Sequence, residues 1–145
     1  MSDVHRTLGA IVIAVNALAA LLGLIAWRVR PLRPFWWLLR AGQALVMLEA
    51  VTGAALLLDG DKLPRLHLIY GLVPIAVSFV AEQLRLASAD IVLQKRDLDG
   101  SQDVAKLPKA EQHALVAEII RRETAVMAAS AGVVTLLLLR AQGCL

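Results

Sequence analysis

Four long stretches with very few charges divide this chain, and no other feature restricts its fold as much. A helix needs about 20 mostly apolar residues to cross ~30 Å of hydrocarbon. The first stretch runs from Thr7 to Trp27, the second from Phe35 to Leu58, and the third from Leu66 to about Leu86. The uncharged part of the fourth, Ala125 to Leu139, is short, so its helix must begin earlier, near Ile119. Of 145 residues, 59% are hydrophobic, against roughly 45–50% in soluble domains. The expected fold is all-α, a single-domain integral membrane four-helix bundle of up-down topology. Its spans cover about 7–27, 35–58, 66–86 and 119–140. Ala17-Leu18-Ala19 has the form of a signal-peptide cleavage site, but the apolar run continues to Ala26 and ends on Arg28 and Arg30. A retained span is the better reading.

The breaks have local causes. Pro31 and Pro34 end the first helix and shape a short link. Asp59-Gly60-Asp61 closes the second, and Pro64 opens the third. Gly100 ends the third pattern, and Pro108 with Glu111 starts the fourth. The stripes Leu84, Ala87, Ile91, Leu98 and Leu115, Ile119, Ile120 carry helices 3 and 4 past the bilayer. The expected result is a cytoplasmic hairpin of about 87–118, its tip near 99–107.

Orientation follows from Lys and Arg, which favour the cytoplasmic side. Arg28, Arg30, Arg33, Arg40, Arg85, Lys95, Arg96, Lys106, Lys109, Arg121 and Arg122 fall on one side, and only Arg6, Lys62, Arg65 and Arg140 on the other. The expected protein is a multi-pass protein of the cell membrane with both termini outside. Trp27, Phe35, Trp36 and Trp37 would form an aromatic belt at the inner boundary.

Helical spacing sorts each span into faces. On the third, His67, Tyr70, Gly71, Pro74, Ser78, Glu82 and Arg85 share an arc of roughly 120° at about 100° per residue. Leu66, Ile69, Leu72, Val73, Ala76, Phe79 and Val80 share the other. Polar groups facing lipid go unsatisfied, so the polar stripe is expected to face protein. Gly9, Asn16, Ala20 and Gly23 (with His5) line one face of the first helix. Gly42, Gln43, Val46, Glu49, Ala50 and Gly53 line one of the second, and Ala125, Ala128, Ala129 and Gly132 one of the fourth. Small residues permit the close approach that drives helix association in lipid.

Glu49 lies about 14 residues into its span, near mid-membrane at ~1.5 Å per residue. A carboxylate there is costly, so Glu49 is expected to be protonated, paired with Gln43, Asn16 or another subunit, or set in a wet cavity. At the inner boundary Glu82, Arg85, Glu118, Arg121, Arg122 and Glu123 are expected to form an interhelix charge network. Arg121 and Arg122 could alternatively hold an anionic lipid headgroup.

His5 and His67 are expected at similar depth on inward faces, where they could hold a b-type haem. His67 could instead cap its helix on Asp59, Asp61 or lipid headgroups, or form a quinone pocket with Tyr70. In span count and boundary histidine the chain resembles the four-span haem b proteins of the cytochrome b561 type, without sharing a motif. It is similar to the small multidrug transporters in having four spans and an intramembrane glutamate. Its acids, however, lie in the second and third spans, and its charge bias opposes dual insertion.

Cys144 alone excludes an internal disulfide and a cysteine metal cluster. Asp97-Leu98-Asp99-Gly100-Ser101-Gln102-Asp103 lacks EF-hand spacing. No phosphate-binding loop, dinucleotide fingerprint or catalytic constellation is present, so no enzyme, cofactor or nucleic-acid partner is required. The expected function is a non-enzymatic bundle, homo-oligomeric or a complex subunit, presenting its cytoplasmic hairpin. The alternatives are a proton-coupled transporter or channel on Glu49, and a haem or quinone redox subunit on His67.

Overall fold

A computed structural model describes residues 2–29, 33–60 and 64–143. Arg30, Pro31, Asp61, Lys62 and Cys144, which entered the expectations above, lie outside these residues. The described chain is helical: α1 (Ser2–Arg28), α2 (Arg33–Leu58), α3 (Arg65–Leu86), α4 (Ser88–Lys95), α5 (Ser101–Lys106) and α6 (Lys109–Ala141). Four helical stretches are long and apolar enough to cross a membrane: Asp3–Arg28, Arg33–Leu58, Arg65–Lys95 and Lys109–Ala141.

The proline positions explain several ends. Pro34 occupies the first turn of α2, where its missing N–H is no loss. Pro64 and Pro108 stand just before α3 and α6. Gly60 takes φ +93° after α2, and Gly100 takes φ +91° before α5, conformations that glycine adopts without steric cost. Pro74 sits inside α3, which continues through it. Ala87 barely interrupts the path from α3 to α4, since its N–H still reaches the Gln83 carbonyl at 3.0 Å.

Packing is uneven around the bundle. Helix α6 lies along both α1 and α3, and α1 lies along α2, but α2 and α3 touch only sparingly. Close approach at glycine sets the α1 contacts. A β-carbon added at Gly23 would stand 2.6 Å from both the Ala128 β-carbon and the Phe35 ring. One core cluster joins Ala19, Phe35, Leu39, Ala81, Met127 and Ala131; a second joins Val12, Val46, Val134 and Leu138.

The outer surface is apolar. Leu66, Ile69, Leu72, Val73, Ala76, Phe79 and Val80 of α3 are exposed, whereas His67, Tyr70, Gly71, Ser78, Glu82 and Arg85 are half-buried and Pro74 is buried. Leu21 of α1 and Val51 of α2 are likewise exposed, at 61% and 62%. Exposed apolar area of this extent suits lipid rather than water. The fourth-span face differs from expectation at Ala129, which is exposed. Helix α6 instead buries Thr124, Met127, Ser130, Ala131, Val134 and Leu138, because it packs against two neighbours and needs two inward faces.

Val92 and Leu115 are buried where α4 meets α6, and Glu118 takes ion pairs from Lys95 and Arg96. At the tip, Asp103 accepts from Lys106 Nζ at 2.7 Å and from the Asp99 N–H at 3.0 Å. Those two bonds, led by Lys106, hold its carboxyl below the ordinary value of 3.8. A depressed carboxylate contributes stability above its unfolded pKa and loses it as pH falls through the folded one. The Asp99 amide is therefore expected to exchange faster as pH falls below 3.8, after correction for intrinsic exchange. Asp103→Asn should show the fast rate at neutral pH. Hydrogen exchange by NMR reads both.

Candidate functional site

The polar side chains of three helices meet at the end of the bundle that holds His5, Thr52, His67 and Ala141. His5 lies at the end of the first turn of α1, and Glu49 and Thr52 lie one turn apart on α2. His67 opens α3. His5 Nδ1 is 3.1 Å from Thr52 Oγ1 and 3.3 Å from Glu49 Oε1. Thr52 Oγ1 donates its own hydrogen to the Glu49 carbonyl at 2.9 Å. That hydroxyl can then only accept from His5, so the proton sits on Nδ1. His67 Nδ1 is 2.8 Å from the Ala141 carbonyl, which is an acceptor only. It too must carry its proton on Nδ1.

In the neutral form each ring is thus held in one tautomer, which leaves a lone pair on Nε2. Neither Nε2 has a hydrogen-bond partner among the described residues. The ring centroids are 5.8 Å apart, with planes at 66°. A histidine whose Nδ1–H is fixed by a carbonyl, hydroxyl or carboxylate is oriented and made more basic at Nε2, the usual support of a metal-ligating imidazole.

Both rings line a cavity of about 660 Å³. Its walls include Glu49, Ala50, Gly53 and Leu57 of α2, Leu68, Gly71 and Leu72 of α3, and Leu138 and Ala141 of α6. The space exists because α2 and α3 part here and because Gly53, Gly71 and Ala50 leave little side-chain bulk between them. Arg6 and Gln142 stand on the same wall as polar donors. Glu49 Oε2 is buried and has no hydrogen-bond partner among the described residues. Gly9 lets this corner close, since a β-carbon there would strike the Gln142 side chain and lie 2.9 Å from Glu49 Oε1. Among the described residues, no group of three or more His, Cys, Asp or Glu side chains is gathered to hold a bare metal ion.

The remaining expected site residues separate into other clusters. Asn16 is buried and donates to the Val12 carbonyl at 2.9 Å, with its amide against Gly42. Gln43 bonds Glu82 at 3.0 Å and accepts from Arg40 at 2.7 Å. Glu49, Gln43 and Asn16 therefore serve three different contacts. Ser78 donates to the Pro74 carbonyl at 2.8 Å, and the Arg140 guanidinium lies 5.9 Å from the Tyr70 ring centroid.

The charged residues also divide. Glu82 accepts from Arg40 across the α2–α3 seam and from Arg85 Nε at 2.9 Å, and Arg85 reaches Glu123 at 3.8 Å. Glu118 belongs to the Lys95–Arg96 cluster, and Arg121 lies over Trp27. No contact of Arg122 joins it to this network. Arg40 thus ties α2 to α3 at one end of a seam that opens at the other. Glu82→Ala would leave two guanidiniums without this acceptor, and the partial exposure of Arg40 limits the cost to about 1–2 kcal/mol. A lower thermal midpoint in detergent, with Glu82→Gln intermediate, checks this.

Sequence reasoning missed Thr52, Gln142 and Arg40. Thr52 was within reach, three residues beyond Glu49 on the same helical face, as was Arg40, three before Gln43. Gln142 carried no signal, because nothing local ties it to Gly9. No family model, no curated protein and no solved structure matches this chain.

Proposed function

We propose that this protein is a membrane-embedded, non-enzymatic haem b carrier, in which His5 and His67 would hold the iron. It would be an up-down four-span bundle in one domain, with both termini and the haem near the outer face. The arginine bias supports that orientation. The observation that carries the reading is the pair of histidines lining one cavity, each ring anchored through Nδ1.

The residues fit the group on three counts. The two imidazoles, the residue type that holds haem iron, stand with ring centroids 5.8 Å apart on one cavity. The cavity, at about 660 Å³, lies within the ~300–1,000 Å³ usual for cofactor sites. Iron in a macrocycle needs only two protein ligands, which matches a site of two histidines and no third. Arg6 and Gln142 would receive the propionates at the mouth, and Glu49 with Thr52 would hold His5. Bound haem would supply one-electron chemistry.

The test is optical. Protein made in haem-replete cells and purified in mild detergent should show a Soret band and a sharp α band on reduction, at one haem per chain. A colourless protein that also ignores added hemin would end this reading. So would equal hemin uptake by the His5→Ala/His67→Ala variant.

A second reading rests on the unpartnered Glu49 Oε2: a proton-coupled carrier in which this carboxyl takes up and releases the proton. Unchanged proton-driven flux in liposomes of Glu49→Gln would refute it. Self-association through the cytoplasmic hairpin has less support, because Val92 and Leu115 are already covered within the chain and several hairpin charges pair among themselves.

A further inference from the structure

A different cluster lies at the opposite end of the bundle, where α1 ends. Trp27 is half-buried, and two guanidiniums converge on its ring. The Arg28 guanidinium carbon is 5.1 Å from the ring centroid and that of Arg121, from α6, is 5.7 Å away. Both distances are within the ~6 Å reach of cation–π attraction. Neither arginine has an acidic partner among the described residues, although the acids nearest Arg121 in sequence are engaged elsewhere. Glu118 pairs with Lys95 and Arg96, and Glu123 with Arg85. Two like charges from different helices are therefore held at one indole, at the end of an apolar helix, with no counter-charge.

We propose that Arg28, Trp27 and Arg121 form a binding site for a phosphate monoanion or diester, the chemistry of an anionic phospholipid headgroup. Guanidiniums suit the group because their planar forks donate paired hydrogen bonds to phosphate oxygens. Trp27 fixes the two side chains and sits at headgroup depth, where indoles collect. An anion between the arginines removes the repulsion that the fold otherwise leaves uncompensated. Arg122, the sequence neighbour that composition alone would have paired with Arg121, makes no contact with this ring.

Native mass spectrometry of the full chain, released from detergent with phosphatidylglycerol or phosphatidylcholine, tests the site. The expected result is one retained phosphatidylglycerol, a preference over phosphatidylcholine of at least about fivefold, and loss of that preference in Arg28→Gln/Arg121→Gln. Arg122→Gln should retain it. Unchanged circular dichroism and elution show that the variants fold. If millimolar inorganic phosphate displaces the lipid from the wild type, the site takes free phosphate as well. If it does not, the headgroup within a bilayer is the ligand. Equal retention of both lipids, with no protection by phosphate, or undiminished preference in the double variant, would overturn the proposal.

Discussion

On the proposed haem reading, replacing His67 by alanine should abolish hemin binding while leaving the helices intact. The side chain is half-buried at the start of α3, and its loss removes one Nε2 and one bond to the Ala141 carbonyl. His5 alone would leave the iron with one protein ligand, so residual haem should turn high-spin and wash out on gel filtration. Glu49→Gln and Thr52→Val act one step removed, because they loosen the Nδ1 anchor of His5. Loss of such supporting partners typically costs about 10–100-fold in affinity. Hemin titration followed at the Soret band orders the variants: wild type above Thr52→Val and Glu49→Gln, with His67→Ala weakest. Equal affinities across the series would mean that the histidine pair is structural.

Leucine in place of Gly23 should prevent the bundle from assembling. A single added carbon already meets Ala128 Cβ and Phe35 at 2.6 Å, and the Ala128 α-carbon at 3.1 Å. The last of these is backbone, so no rotamer change relieves it. Either α1 withdraws from α6, or Phe35 leaves a core in which it is fully buried. Overpacking of this kind costs about 1–3 kcal/mol for modest additions, and leucine adds four carbons. In lipid the loss is felt directly, because packing rather than the hydrophobic effect holds spans together. Gly132→Ala is the matched control, since its added carbon would meet only Ala20 Cβ at 4.0 Å. Detergent-solubilised yield and thermal midpoint should fall sharply for Gly23→Leu and stay near wild type for Gly132→Ala. A well-folded Gly23→Leu protein would show that α1 and α6 do not meet at this glycine.

Position around a helix is a local property, and it was legible. Seven residues of α3 marked one polar stripe and seven another apolar one, and their burial divides the same way. Proline and glycine marked the breaks for the same reason, since each acts on its own backbone. Ala129 escaped this logic because a small residue carries no preference for lipid or for a neighbouring helix.

Partners across helices are a different matter. Helical spacing already put His5 and His67 at similar depth on inward faces, but nothing in the sequence brings Glu49 and Thr52 to the same ring. That depends on α6 lying between α1 and α3 and on α2 parting from α3 near Gly53 and Gly71. The same arrangement takes Gln43 to Glu82 rather than to Glu49, and sets Arg121 beside Trp27 rather than with Glu82. The four long apolar helices and their breaks were therefore set by sequence, through hydropathy and backbone chemistry. The hold of Glu49 and Thr52 on His5, the open seam and the two-arginine indole were decided by tertiary structure, because only close approach at small residues selects which helices become neighbours.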